Sequence, residues 1–169
     1  MIKLLAAGII LISSTLTGAL LSKNTLARVT ELEKSRLFIA YIRLSILYAA
    51  DAFGAVTASY ISENRRALPC YLENFSEKEG GASCQDSLLL ALERPEVKTA
   101  LRGEDRACLA SFFSELGKAD IKGEKALCDL YEALIEERLR EARLRAEKYA
   151  GIYTVLGAFT GLAATVLFL

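Results

Sequence analysis

The chain has 169 residues with 21 basic and 21 acidic side chains, so its formal net charge is zero. A neutral total gives no indication of a nucleic-acid partner, which usually requires a basic surplus. The sequence contains no histidine, the commonest metal ligand and the usual general base. Composition therefore argues against an enzyme or a metalloprotein, and we assign no catalytic, cofactor-binding or metal-ligating residue.

Two stretches without charge lie at the ends of the chain, at residues 4–21 and 150–169. Twenty residues of α-helix span about 30 Å, roughly the thickness of the hydrocarbon core of a bilayer. We therefore predict a transmembrane helix at residues 1–22, a helical soluble domain at 23–149 and a second transmembrane helix at 150–169. A cleaved signal peptide is the alternative for the first stretch, but its apolar run is long and no good cleavage site follows it.

Basic residues lie on the domain side of both predicted spans. Lys23 and Arg28 follow the first span, and Arg145 and Lys148 precede the second. Loops rich in lysine and arginine are retained in the cytoplasm. The charge distribution therefore predicts a multi-pass protein of the cell membrane with two spans and a cytoplasmic soluble domain.

The first part of the soluble domain predicts two helices. From residue 30 to residue 50 apolar side chains recur every three or four positions, which indicates one helix that packs on two sides. Asp51 can cap a second helix that continues to about residue 66. The inward positions predicted for this second helix are Phe53, Val56, Tyr60 and Ile61.

The middle of the chain predicts three shorter helices. Pro69 suits the first turn of a helix that ends near residue 78, and Gly80-Gly81 breaks the chain after it. Ser83 can cap the next helix, which Pro95 ends, and Gly103 precedes a helix that runs to about residue 117. The predicted core positions are Leu88, Leu89, Leu92, Cys108, Leu109, Phe112, Phe113 and Leu116. Because no alternating β-pattern occurs, we predict an all-α fold, a small cytoplasmic helical bundle between an N-terminal and a C-terminal transmembrane helix.

Residues 124–149 predict a long amphipathic helix that can continue into residues 150–169. Its apolar positions are Leu127, Leu130, Leu134, Leu139, Ala142, Ala146 and Tyr149, extended by Tyr131 and Ile135. The opposite face is charged, and we predict that it docks a partner. The candidate docking residues are Glu136, Glu137, Arg140, Glu141, Arg143 and Arg145. A solvated helix face without a partner is the alternative.

The four cysteines, Cys70, Cys84, Cys108 and Cys128, form no CxxC pair. With no histidine to complete a zinc site, we interpret them as thiols that act as small apolar groups. The alternative is a Cys70–Cys128 disulfide, which would require the domain to face an oxidising compartment.

Small residues four positions apart occur in both uncharged stretches. Ser14 and Gly18 lie in the first, and Gly157 and Gly161 lie in the second. This spacing lets two membrane helices approach closely. We predict that these four residues pack the two spans against each other or against the helices of a partner.

Several short groups of residues, in a fixed order, extend over essentially the whole chain. They are Arg36 with Leu44-Ser45-Ile46-Leu47-Tyr48, Gly81-Ala82-Ser83, Gly103-Glu104-Asp105, the segment 112–120 with Leu116-Gly117 and Asp120, and Lys148-Tyr149 with Leu156-Gly157 and Gly161-Leu162. In order and spacing this set resembles the stage III sporulation protein AB family of endospore-forming bacteria. Ser45 and Ala52 depart from the Glu and Pro that are usual in the family.

The resemblance implies a helical domain similar to one domain of type II secretion F proteins. It also implies a non-catalytic membrane platform or adaptor in a secretion-like channel complex between mother cell and forespore. The expected partners are a cytoplasmic secretion-type ATPase, other membrane subunits of the sporulation channel and membrane lipid, with a homo-oligomer left open. No nucleic acid and no cofactor are expected. The alternative is a signal-anchored membrane sensor or structural protein with its helical domain outside the cytoplasm.

Overall fold

The computed structural model describes residues 23, 25–46, 53–73, 75, 83–93 and 100–168. All regular secondary structure in these residues is α-helical, which confirms the predicted all-α class. The helices are α1 (25–46), α2 (Phe53–Glu63), α3 (Cys70–Glu73), α4 (Cys84–Glu93), α5 (Gly103–Glu115) and α6 (Ile121–Phe168). The predicted cap Asp51, the Gly80-Gly81 break and Pro95 lie outside the described residues.

The described residues belong to two compact units. The core unit comprises Thr30–Leu139, and thus most of α1, all of α2 to α5 and the first part of α6. The terminal unit comprises the described residues before Thr30 together with α6 from Arg140 onward.

An aromatic cluster forms the centre of the core unit. Phe38 of α1 lies 4.8 Å from Tyr60 of α2 and 6.2 Å from Phe113 of α5, measured between ring centroids. Tyr71 of α3 meets Phe113 edge-on at 6.0 Å. Tilted and edge-on pairs of this kind add about 0.5–1.5 kcal/mol each to the burial of apolar area. One side chain from each of four helices therefore meets at Phe113 and its neighbours.

The core predicted for α5 is confirmed in full. The five predicted apolar positions are all buried: Cys108, Leu109, Phe112 and Phe113 within α5 and Leu116 directly after it. They recur at spacings of three and four, and no other large apolar side chain competes with them within the helix. In α4 the predicted Leu88 and Leu92 are buried, whereas Leu89 is half-buried.

The apolar face predicted for the first half of α6 is correct for Tyr131 and Ile135 and wrong for Leu130 and Leu134. Leu130 and Leu134 are exposed, at 55% and 43%, whereas Cys128, Tyr131 and Ile135 are buried. The sequence offers two apolar stripes one residue apart, and periodicity alone cannot choose between them. Tyr131 decides the choice because its ring packs 5.3 Å from that of Phe112. The predicted Leu139, Ala142 and Ala146 are buried, which confirms these three positions.

Side chains from loops and helix starts satisfy the unpaired amides at several helix N-termini. The Ser83 hydroxyl accepts the Asp86 amide at 3.2 Å, which confirms Ser83 as the cap of α4. At the start of α6 the Asp120 carboxylate accepts the Gly123 amide at 2.9 Å. Glu124 reaches back to the Ala119 amide at 2.9 Å. These bonds fix where the two helices begin.

The last helix continues without a break from Ile121 to Phe168, as the sequence indicated. Within the described parts of the chain, however, no helix is long and apolar enough to cross a membrane. This finding contradicts the predicted localisation as a two-span membrane protein with a cytoplasmic domain. The prediction for residues 150–169 rested on the length of the stretch and its absence of charge. The predicted first span, 1–22, lies outside the described residues.

Candidate functional site

A row of ion pairs joins α1 to α6 within the core unit. Arg36 Nε lies 3.0 Å from Glu136 Oε2 and 3.7 Å from Glu132 Oε1. Two turns further along α1, Arg43 forms an ion pair with Asp129, which lies earlier in α6. The partners of Arg36 and Arg43 show that the two helices run antiparallel. Because all five side chains are partly exposed, each pair contributes about 0.2–1 kcal/mol and mainly fixes the register.

A buried thiol lies behind this row of ion pairs. Cys128 is fully buried, and burial, assisted by Glu124 and Asp129, raises its pKa to about 12. In α5, burial also raises the pKa of Cys108, although Arg138 opposes that rise. A thiol acts as a nucleophile only as its thiolate. Neither cysteine therefore has the chemistry of a catalytic residue.

All four cysteines carry thiols rather than disulfides. Cys108 and Cys128 are buried, as expected for small apolar groups, whereas Cys70 and Cys84 are half-buried. The Cys70–Cys128 disulfide of the alternative interpretation is not formed.

Arg138 of α6 connects to the first turn of α5. Its guanidinium lies 3.6 Å from the carboxylate of Asp105 and 3.7 Å from that of Glu104. Asp105 is fully buried and also accepts the backbone amide of Arg102 at 2.9 Å. Both the arginine and the positive end of the helix dipole stabilise the buried carboxylate. The acidic start of α5 was predicted from sequence, but its arginine partner was not.

Polar side chains of α1 fix the position of α3. The carboxylate of Glu31 accepts the backbone amide of Cys70 at 2.8 Å and also binds Lys34 at 3.1 Å. One turn further along α1, Ser35 accepts the hydroxyl of Tyr71 at 3.3 Å. Burial raises the pKa of Tyr71 well above its ordinary value, so that its hydroxyl acts as a fixed donor. These groups hold the fold together and leave no reactive centre between them.

The six predicted docking residues all lie on the surface. In the core unit, Glu136 and Glu137 line a shallow acidic depression on α6 with Asp129, Glu132 and Ala133. In the terminal unit, Arg140, Glu141, Arg143 and Arg145 are exposed on the same helix. The ion pair of Glu136 with Arg36 could not be foreseen from the sequence, because it joins distant parts of the chain. Whether the six residues dock a partner stays a prediction.

Two of the four predicted helix-packing residues belong to the part of the chain that the structure describes. Gly157 and Gly161 lie in α6. Ser14 and Gly18 lie outside the described residues. The proposed packing of these small residues stays a prediction.

A shallow cleft between α4 and α5 is lined by residues from both helices. Its polar side chains serve the backbone, since Ser83 caps α4 and Gln85 donates to the carbonyl oxygen of Leu116 at 3.2 Å. Across the portion of the chain that the structure describes, no group of three or more cysteines and acidic residues could hold a metal ion. The polar groups described above therefore either stabilise the fold or form exposed charged surfaces.

The family model for stage III sporulation protein AB matches residues 3–169. The chain belongs to this family. The match confirms the resemblance found in the sequence and extends over almost the whole chain. The family is a structural family of sporulation and is not a known enzyme family. No significant match was found among curated proteins or among solved structures.

Proposed function

We propose that this chain is a non-catalytic adaptor that couples a secretion-type ATPase to the other subunits of the channel between mother cell and forespore. Membership of the stage III sporulation protein AB family supports a role in sporulation. The observation that carries the adaptor role is the exposed charged surface of α6, where Arg140, Glu141, Arg143 and Arg145 all face solvent.

The surface is suited to recognition because a continuous helix holds its charges at fixed spacings. The opposite side of the same segment is anchored, since Ala142 and Ala146 are buried at 2% and 4% exposure. Charged side chains on such a surface raise the rate and selectivity of association more than its final affinity. A non-catalytic role agrees with the raised thiol pKa values of Cys108 and Cys128 and with the absence of histidine.

The test is co-purification of the full-length chain with the secretion-type ATPase of the same organism. The double variant Arg143→Glu and Arg145→Glu reverses two exposed charges of α6. The matched control, Arg65→Glu and Arg66→Glu, reverses two exposed arginines in the loop after α2. We expect the α6 variant to lose ATPase while the control retains it.

Equal recovery of ATPase with both variants would show that this surface is not the docking site. Failure of the wild-type chain to bind the ATPase at all would overturn the adaptor role. Far-UV circular dichroism of each variant separates loss of binding from loss of helix.

A further inference from the structure

The first half of α6 has an apolar side that faces away from the core. The residues on this side recur at spacings of three and four, which places them in one stripe along the helix. We name them the leucine face: Ala126, Leu127, Leu130, Ala133 and Leu134. Leu130 and Leu134 are 55% and 43% exposed, the two alanines are exposed and Leu127 is half-buried.

No charged residue interrupts the leucine face. At about 100° per residue its positions occupy about 120° of the helix circumference, and the charged residues of 122–136 all fall outside this sector. Asp129, Glu132 and Glu136 lie on the side of α6 that pairs with α1, and Tyr131 and Ile135 lie on the buried side. A helix side that meets only solvent is normally polar. The leucine face is therefore suited to a contact outside the core unit.

The leucine face adjoins two of the predicted docking residues. Ala133 lines the same shallow depression as Glu136 and Glu137. Glu137 follows Leu134 by three residues and Leu130 by seven, so it continues their stripe along the helix. An apolar centre with a charged rim is the usual anatomy of a protein–protein interface. The two features together form one candidate contact surface.

A docking site made of charges alone would lack the main source of affinity. Charged groups mainly speed and select association, whereas burial of apolar surface is the dominant favourable term in most protein complexes. A second copy of this chain is a poor occupant, because two copies of a five-residue face fall short of the roughly 1,200 Å² that a stable interface buries. The face instead fits a partner that contacts it together with the charged residues of α6.

We propose that the leucine face is the apolar contact of the docking site and that apolar side chains of the secretion-type ATPase cover it. This inference rests on the adaptor role proposed above. Leu130 and Leu134 lose their exposure to water when the ATPase binds. Since burial of apolar surface on binding gives a negative heat-capacity change, the leucines contribute to such a change in this association.

The test is isothermal calorimetry of the full-length chain with the purified ATPase at several temperatures. The face variant carries Leu130→Gln and Leu134→Gln, since glutamine has nearly the helix propensity of leucine. The matched control carries Leu37→Gln and Leu44→Gln, at leucines of α1 that are 58% and 51% exposed. We expect the face variant to bind about tenfold or more weakly, with a less negative heat-capacity change, and the control to bind as the wild type does.

Equal affinity of the wild type and the face variant would overturn the inference, as would equal losses in the face variant and the control. If only the Arg143→Glu, Arg145→Glu variant loses affinity, the adaptor role stands and the leucine face is not part of the docking site. A wild-type chain that does not bind the ATPase would overturn the adaptor role and this inference with it. Sedimentation equilibrium without the ATPase gives the remaining outcome, because self-association that the face variant lacks would assign the face to a second copy instead.

Discussion

Arg36 of α1 and Glu136 of α6 are joined by an ion pair of 3.0 Å between Nε and Oε2. Together with the pairing of Arg43 and Asp129, this contact sets the antiparallel register of the two long helices in the core unit. The side chains of Arg36 and Glu136 are 38% and 54% exposed, so solvent screens their attraction.

A double-mutant cycle on Arg36 and Glu136 tests the strength of this contact. With Arg36→Ala, Glu136→Ala and the double variant, we expect a coupling free energy of about 0.2–1 kcal/mol from urea unfolding. The coupling should fall when salt is added. A coupling of several kcal/mol that is insensitive to salt would show that the pair is not the exposed contact described above.

Gly117, after α5, should resist substitution. Its φ is +82°, which L-residues rarely adopt, and a Cβ there would lie 3.1 Å from Gln85 Nε2. Gly117→Ala should therefore lower the free energy of unfolding by about 1 kcal/mol or more, measured by urea denaturation. Gly103→Ala is the matched control, since a Cβ at Gly103 would meet nothing within 4 Å. Equal losses for the two variants would refute the backbone explanation.

Glu124 should contribute to stability as a cap of α6. Glu124→Ala removes the acceptor of the Ala119 amide, and loss of a cap costs about 0.5–2 kcal/mol. Glu124→Gln should cost less, because its amide oxygen can still accept the bond. Lys125→Ala, at an exposed neighbouring position, is the control and should change stability little. The idea fails if the alanine and glutamine variants lose the same free energy of unfolding.

The raised pKa of Cys128 predicts a loss of stability at alkaline pH. A free thiol in an unfolded chain has a pKa near 8.5, whereas burial raises that of Cys128 to about 12 in the folded protein. The folded state therefore holds its proton more tightly. The contribution is fully present below about pH 8.5 and is lost as the pH rises toward 12. We expect the free energy of unfolding to decline from about pH 8.5 toward pH 12, the window set by these two pKa values.

Cys128→Ala should flatten that decline, because the alanine variant has no thiol to ionise at this position. Cys84→Ala, at a half-buried cysteine, serves as the control. The slope of stability against pH is the readout, since removal of the buried sulfur also lowers the baseline. An unchanged slope in Cys128→Ala would assign the alkaline loss to other groups, such as buried Tyr71, whose pKa is also raised.

The contrast between α5 and α6 shows how far periodicity can predict burial. In α5 the apolar positions form one face, and the buried set follows directly from the sequence. In the first half of α6, Leu130 and Leu134 form one set of apolar positions, and Tyr131 and Ile135 form another one residue along. The sequence alone does not show which set is buried. The contact of Tyr131 with Phe112 resolves the competition, and it joins residues that no local pattern connects.

The candidate site, like the core, could be predicted only in part from the sequence. Exposed charges on α6 follow from helical periodicity, and the six predicted residues are indeed at the surface. The ion pair between Arg36 and Glu136 could not be predicted. The local pattern of each helix indicates only that its own charged residue is exposed to solvent.

The most direct test of the adaptor role is a titration of the full-length chain against the purified secretion-type ATPase by isothermal calorimetry. We expect saturable binding that weakens at least about tenfold, or 1.4 kcal/mol, in the Arg143→Glu, Arg145→Glu variant. Binding should be unchanged in the Arg65→Glu, Arg66→Glu control. Absence of binding by the folded wild-type chain would contradict the adaptor role, and equal affinity for both variants would contradict its assignment to α6.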